Sequence, residues 1–217
     1  MKRNHRTIVF LLLTATLGTF VPRNLPAQIL YVSNLANADD SGVVCDGSSW
    51  DAAEFTTGGN LNGYSLDSIQ IAIDGILVVD GSGFSLSLYS NNSGQPGSSV
   101  GVLSGSSNPS VAGNYTYTAS GVTLSASTSY WVVGDAATAF PNGSFLWGDT
   151  TSPAYTSSGG WSINNATRDI SHDGGSTWTA TGVSLLRFSV TATAVPEPQS
   201  FALAGLGLTL VFFRRRK

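Results

Sequence analysis

Four stretches of this chain alternate apolar and polar residues with a period of two, and that period narrows the possible architectures more than anything else in it. Ile69-Gln70-Ile71-Ala72-Ile73, Phe84-Ser85-Leu86-Ser87-Leu88, Tyr115-Thr116-Tyr117-Thr118 and Leu186-Arg187-Phe188-Ser189-Val190 each send successive side chains to opposite faces, as half-buried strands do. Between them lie turn clusters: Asp80-Gly81-Ser82-Gly83, Asn91-Asn92-Ser93-Gly94-Gln95-Pro96-Gly97 and Ser104-Gly105-Ser106-Ser107-Asn108-Pro109. There Gly permits positive φ, and Asn or Ser bonds its own backbone. Tyr130-Trp131-Val132-Val133 reads as a strand buried on both faces, and no capped run of helical spacing interrupts the body. The expectation is all-β: a single antiparallel β-sandwich or jelly-roll domain.

The two ends follow a different grammar. Lys2, Arg3 and Arg6 precede a mostly apolar, uncharged stretch from Ile8 to Val21, and Leu25-Pro26-Ala27 offers a small residue where a signal peptidase could cut. Residues 1–27 therefore read as a helical secretory signal peptide, with the mature chain starting near Gln28. About 165 residues remain before the C-terminal tail, enough for one domain with a sizeable core and too few for two.

Charge is distributed unevenly. Four of the ten Lys and Arg residues lie in the leader and four at the C-terminus, which leaves Arg168 and Arg187 in the body against twelve Asp and Glu. The body thus carries a net charge of −10 behind a whole-chain figure of −3. Such a surface repels phosphate backbones, so nucleic acid is excluded as a partner. Its strands present Ser and Thr rather than Lys and Glu on their polar faces, as exported proteins do. Cys45 is the only cysteine, so the fold holds without an intrachain disulfide, and the thiol is either free or paired between molecules.

The catalytic inventory is thin. Without the leader, His172 is the only histidine, which rules out a histidine metal cluster and leaves one turn residue for any Ser/His/Asp arrangement. Paired carboxylates could come from Asp39, Asp40, Asp46, Asp51 or Glu54, but their spacing specifies no site, and such loop acids are commonly solvated or bound to Ca²⁺. No phosphate-binding loop or EF-hand pattern is present. No catalytic, cofactor-binding or metal-binding residue is assigned, and no enzymatic activity is expected.

Ser171-His172-Asp173-Gly174-Gly175-Ser176-Thr177-Trp178 resembles the Asp-box of sialidases, matching it at Ser171, Asp173, Gly175, Thr177 and Trp178. The residues themselves describe a hairpin turn: Asp173 accepts from backbone amides, the two glycines take positive φ, and Trp178 packs beneath. The resemblance implies a structural role. Trp50, Trp147, Trp161, Trp178 and Tyr155 sit in or beside Gly-, Ser- and Asp-rich segments, where exposed rings could stack on sugars; the competing reading places them at the ends of the core.

At the C-terminus, Val195-Pro196-Glu197-Pro198 breaks the last strand and begins a stiff linker. Phe201 to Phe213 is apolar apart from Thr209, and Arg214, Arg215, Arg216 and Lys217 close the chain. Thirteen helical residues span about 20 Å, short of a hydrocarbon core of about 30 Å, and the basic end stays on the cytoplasmic side. This order closely resembles the PEP-CTERM sorting signal of Gram-negative bacteria, also labelled the ice-binding protein C-terminal domain. The resemblance implies that residues 195–217 hold a Pro-Glu-Pro motif (Pro196, Glu197, Pro198), a short transmembrane helix and an Arg-rich tail. It further implies recognition by exosortase, a membrane protease-transpeptidase that cuts near the motif, in exopolysaccharide and biofilm settings.

The body, residues 28–194, resembles the choice-of-anchor R domain family. That likeness rests on Ala53-Glu54-Phe55-Thr56-Thr57-Gly58 and on FSLSLYSNNSGQPGS from Phe84. It rests also on GNYTYTASGVTLSASTSYWVV from Gly113 and GGWSINNATRDISHDGGSTW from Gly159. It implies an exported domain and no catalytic residues. The expected protein is a cell-surface or extracellular-matrix component, held in the inner membrane before processing and outside it afterwards, with a structural or adhesive role. A polysaccharide-binding module is the second reading, and a glycan-active hydrolase the third.

Overall fold

The computed structural model describes residues 27–78, 83–137, 144–164, 168–182 and 184–196. The leader and the apolar tail, each expected to be a helix, lie outside these residues, as do Glu197 and Pro198. Among the described residues there is no helix. In chain order the strands are β1 Ile29–Ser33, β2 Ser41–Cys45, β3 Trp50–Thr56, β4 Tyr64–Val78, β5 Phe84–Asn92, β6 Gln95–Val102, β7 Gly113–Thr118 and β8 Thr123–Leu124. They continue as β9 Ser129–Ala136, β10 Ser144–Thr150, β11 Thr156–Ser157, β12 Ser162–Ile163, β13 Arg168–Ser171, β14 Thr179–Thr181, β15 Leu185–Leu186 and β16 Phe188–Ala194.

All pairings are antiparallel and fall into two sheets. The nine-stranded sheet runs β11-β1-β16-β4-β10-β15, with β2 on β10 and with β7 and β8 on β4. The seven-stranded sheet runs β14-β13-β3-β9-β5-β6, with β12 also on β3. The long β4 is the spine of the first sheet because its period carries through fifteen residues: Leu66, Ile69, Ile71 and Ile73 are buried, while Ser68 and Gln70 face outward. A register shift beside Asp67 takes up the odd residue between Leu66 and Ser68.

The sheets pack face to face. Phe84 of β5 meets Phe145 of β10 edge-on at 5.1 Å between ring centroids, and Phe55 of β3 meets Phe188 of β16 at 6.4 Å. One apolar cluster, including Leu86, Leu88, Val132, Ile69, Ile71, Phe145 and Val190, fills the space between them. Strand β9 is buried on both faces: Val132 joins this interior, while Trp131 and Val133 join a smaller cluster with Ala52 and Trp178 on the outer face of the seven-stranded sheet.

The expected turn at Asn91 to Gly97 is tighter than its composition indicates. Strand β5 runs on to Asn92 and β6 resumes at Gln95, so the reversal is made by Ser93 and Gly94 alone, at φ 56° and 86°. Positive φ at both central residues gives a turn whose twist matches that of the flanking strands. Pro96 is tolerated because β6 is an edge strand.

Candidate functional site

Strand β16 ends at Ala194, and the residues after it are fastened to the body. The Val195 N–H donates to the Gly63 carbonyl at 3.1 Å. Asn60 Nδ2 donates to the Val195 carbonyl at 3.1 Å and to the Gly63 carbonyl at 2.6 Å, and Asn62 Nδ2 donates to the Pro196 carbonyl at 3.0 Å. Gly63 takes φ +72° in this loop, which lets its carbonyl face the departing chain. Of the sorting residues, Pro196 is therefore placed at the exit from the fold. Glu197, Pro198, Arg214, Arg215, Arg216 and Lys217 lie outside the described residues.

The turn from Ser171 to Trp178 joins β13 to β14. Asp173 organises it: Oδ1 accepts from the Thr177 N–H at 2.8 Å and from Ser171 Oγ at 2.9 Å, and Oδ2 accepts from Thr177 Oγ1 at 2.7 Å. The Gly175 N–H donates to Ser171 Oγ at 2.9 Å. Gly174 and Gly175 have φ of +70° and +81°, and a side chain on Gly175 would also run into Trp50. The Thr177 bonds stabilise the ionised carboxylate and hold the Asp173 pKa down at about 2. His172 is exposed, with Nδ1 3.3 Å from the Ser48 carbonyl oxygen.

The rings do not form an exposed stacking platform. Trp131, Trp147, Trp161 and Trp178 are buried, and Trp50 is partly buried against the outer cluster. Trp161 stacks on Tyr31 at 4.7 Å and on Phe55 at 5.6 Å, with Tyr64 edge-on at 4.9 Å. Tyr155 is exposed.

The acidic residues are also placed differently from the loop positions expected. Asp51 and Glu54 lie within β3, not in a loop, and both are buried. Asp51 faces the interior because Arg168, on the adjacent β13, pairs with it there. Burial still pushes the Asp51 carboxyl up, to about 6, against the lowering pull of Arg168. Cys45 Sγ lies 3.6 Å from Asp51 Oδ2 and is fully buried, which rules out the intermolecular disulfide in the folded protein; burial also pushes the thiol well above its usual pKa. Asp46 is buried in a tight turn, where it accepts from the N–H and Oγ of Ser48, both at 2.7 Å. Asp39 pairs with Arg187 at 3.1 Å, and Asp40 accepts from the Thr151 hydroxyl at 2.7 Å.

Sequence reasoning missed two features. The first is Asp169, buried on β13. The second is a groove of about 490 Å³ on the outer face of the nine-stranded sheet. Its floor consists of cross-strand rows: Ser33, Ser189, Gln70 and Thr116 in one, Leu30, Thr191 and Ser68 in the next. The alternation in β4, β7 and β16 marked these side chains as outward, but only strand order puts them in line.

Residues 194–217 match the PEP-CTERM protein-sorting motif. That motif implies export, recognition by exosortase and a membrane-associated C-terminal signal. No curated protein matches the chain.

Proposed function

We propose that the chain is an exosortase substrate, exported by its leader and cut near Pro196-Glu197-Pro198. Its β body then serves as a structural or adhesive component of the extracellular matrix. The observation that carries this reading is the junction: the sorting motif begins at Ala194, where β16 ends, and Asn60 and Asn62 hold the first motif residues against a domain with a continuous core. A recognition segment that leaves a rigid body at a fixed point can be removed without disturbing the fold. The choice-of-anchor R likeness of the body fits this role. Cell fractionation of the host with and without its exosortase tests it. The protein should leave the inner-membrane fraction only when the enzyme is present; equal release in both strains would remove the proposal.

A second reading, a polysaccharide-binding body, is favoured by the groove rather than by the tryptophans. Hydroxyl and amide side chains in register offer donors and acceptors to a neutral glycan, and Leu30 supplies apolar contact. A glycan array on the exported protein, repeated with Gln70→Ala and Thr116→Ala, separates the two readings. A purely structural body shows no saturable sugar binding.

A further inference from the structure

On the outer face of the seven-stranded sheet, two carboxylates stand on neighbouring strands. Asp169 of β13 is directly opposite Ala52 of β3, and Glu54 lies two residues further along β3 on the same face, opposite Trp131 of β9. Asp169 is 1% exposed, and neither of its carboxylate oxygens has a hydrogen-bond partner. Glu54 is 9% exposed and is held in place by Asn164, whose Nδ2 donates to Oε2 at 2.6 Å and whose N–H donates to the Glu54 carbonyl at 3.0 Å.

A buried carboxylate with two bare oxygens is costly unless something positive meets it. The body holds only two Lys or Arg side chains, and both are engaged elsewhere: Arg168 with Asp51 on the opposite face of the sheet, and Arg187, between β15 and β16, with Asp39. His172 is exposed beside Ser48. Burial, and secondly Glu54, push the Asp169 carboxyl up, to about 6, as expected of a buried acid that lacks a counter-charge. The remaining source of positive charge is an ion from solution.

We propose that Asp169 and Glu54 bind a hard divalent cation, calcium by preference, on the outer face of β3 and β13. All the donors are oxygens, which excludes a preference for softer metals, and calcium accepts the irregular geometry that two adjacent strands provide more readily than magnesium does. The burial that calls for the cation also argues against catalysis by this pair, because no sugar-sized substrate reaches either carboxylate. The ion ties β13, which carries the Ser171 to Trp178 turn, to the central β3.

Terbium, which replaces calcium and is sensitised by nearby indole rings, is the probe, and Trp131 is the built-in antenna. Titrated into the protein purified from the exported fraction, Tb³⁺ should give saturable tryptophan-sensitised emission that Ca²⁺ competes away. At calcium tenfold above its Kd, Tm should rise by about 3–6 °C. Asp169→Asn should remove both effects, and Glu54→Gln supplies the same test if that variant does not fold. Emission and Tm shift undiminished in a folded variant would overturn the proposal. So would a wild-type protein blind to Tb³⁺ and Ca²⁺ that gains stability between pH 7 and pH 5, since Asp169 would then be taking up a proton instead.

Discussion

Asn62 donates through Nδ2 to the carbonyl of Pro196 at 3.0 Å, so a surface loop of the body holds the first proline of the sorting tripeptide. Beside it, Asn60 bridges Gly63 and Val195 with one amide group. Asn60→Ala removes the side-chain donor to the Val195 carbonyl and leaves the Gly63 carbonyl with the Val195 N–H, and should cost about 1–2 kcal/mol in urea unfolding, with earlier cleavage near residue 195 in limited proteolysis. Asn62 is exposed, and Asn62→Ala should change stability little. Equal proteolytic patterns for wild type and Asn60→Ala would show that the clamp does not hold the exit.

The turn centred on Asp173 should be sensitive to acid. Its folded pKa, near 2, lies below the unfolded carboxylate value, so its contribution is complete above about pH 4 and lost as pH falls towards 2. Asp173→Ala should flatten that part of the stability profile, whereas His172→Ala should leave it and the fold unchanged. Near-UV circular dichroism, which reports on Trp178 and Trp50 under the turn, is the readout. An activity lost on His172→Ala with the fold intact would point instead to an enzyme.

Trp161 is an aromatic junction, touching Tyr31, Phe55 and Tyr64. Trp161→Ala should destabilise by about 3–5 kcal/mol, the usual cost of emptying an aromatic core site. Sugar affinity, if the body has any, should not change beyond what unfolding explains.

Asp51 and Arg168 meet inside the sheet, 117 positions apart in the chain. Arg168→Met strands a buried carboxylate beside Cys45 and should cost about 3–5 kcal/mol, while the paired change Asp51→Leu with Arg168→Met should recover most of it. In the wild type, Cys45 should resist maleimide until denaturant unfolds the protein, because the thiol is fully buried. Rapid labelling of the native state would contradict the burial.

The strands were legible wherever period two ran unbroken, as in Ile69 to Ile73 and Phe84 to Leu88. Strand β3 was hidden because Trp50-Asp51-Ala52-Ala53-Glu54-Phe55 places an acid on each face, and Asp51 faces inward only because Arg168 arrives from β13. The sheet order was not legible at all: Ile29 pairs with Ala192, a contact between the two ends of the body that no local signal encodes. The groove and the Asp169 pair share that dependence on strand order. The tail was legible because its three elements are consecutive in the chain and need no tertiary partner.

Processing of that tail is the remaining test, and it rests on length. A thirteen-residue apolar run spans about 20 Å as a helix and is held in a bilayer only if Arg214 to Lys217 snorkel to the surface, so it is a marginal anchor suited to being recognised and cut. Among the described residues, the body's hold beyond Ala194 consists of the hydrogen bonds that link Asn60, Asn62 and Gly63 to Val195 and Pro196. Retention should therefore depend on processing. Changing Pro196-Glu197-Pro198 to alanines should leave a longer form in the membrane fraction, while the wild-type protein outside the inner membrane should lack Arg214 to Lys217 and begin near Gln28. Mass spectrometry of the exported material decides both ends at once. An intact peptide ending in Lys217 from outside the cell would show that the segment is not removed, and one beginning at Met1 would show that the leader is retained.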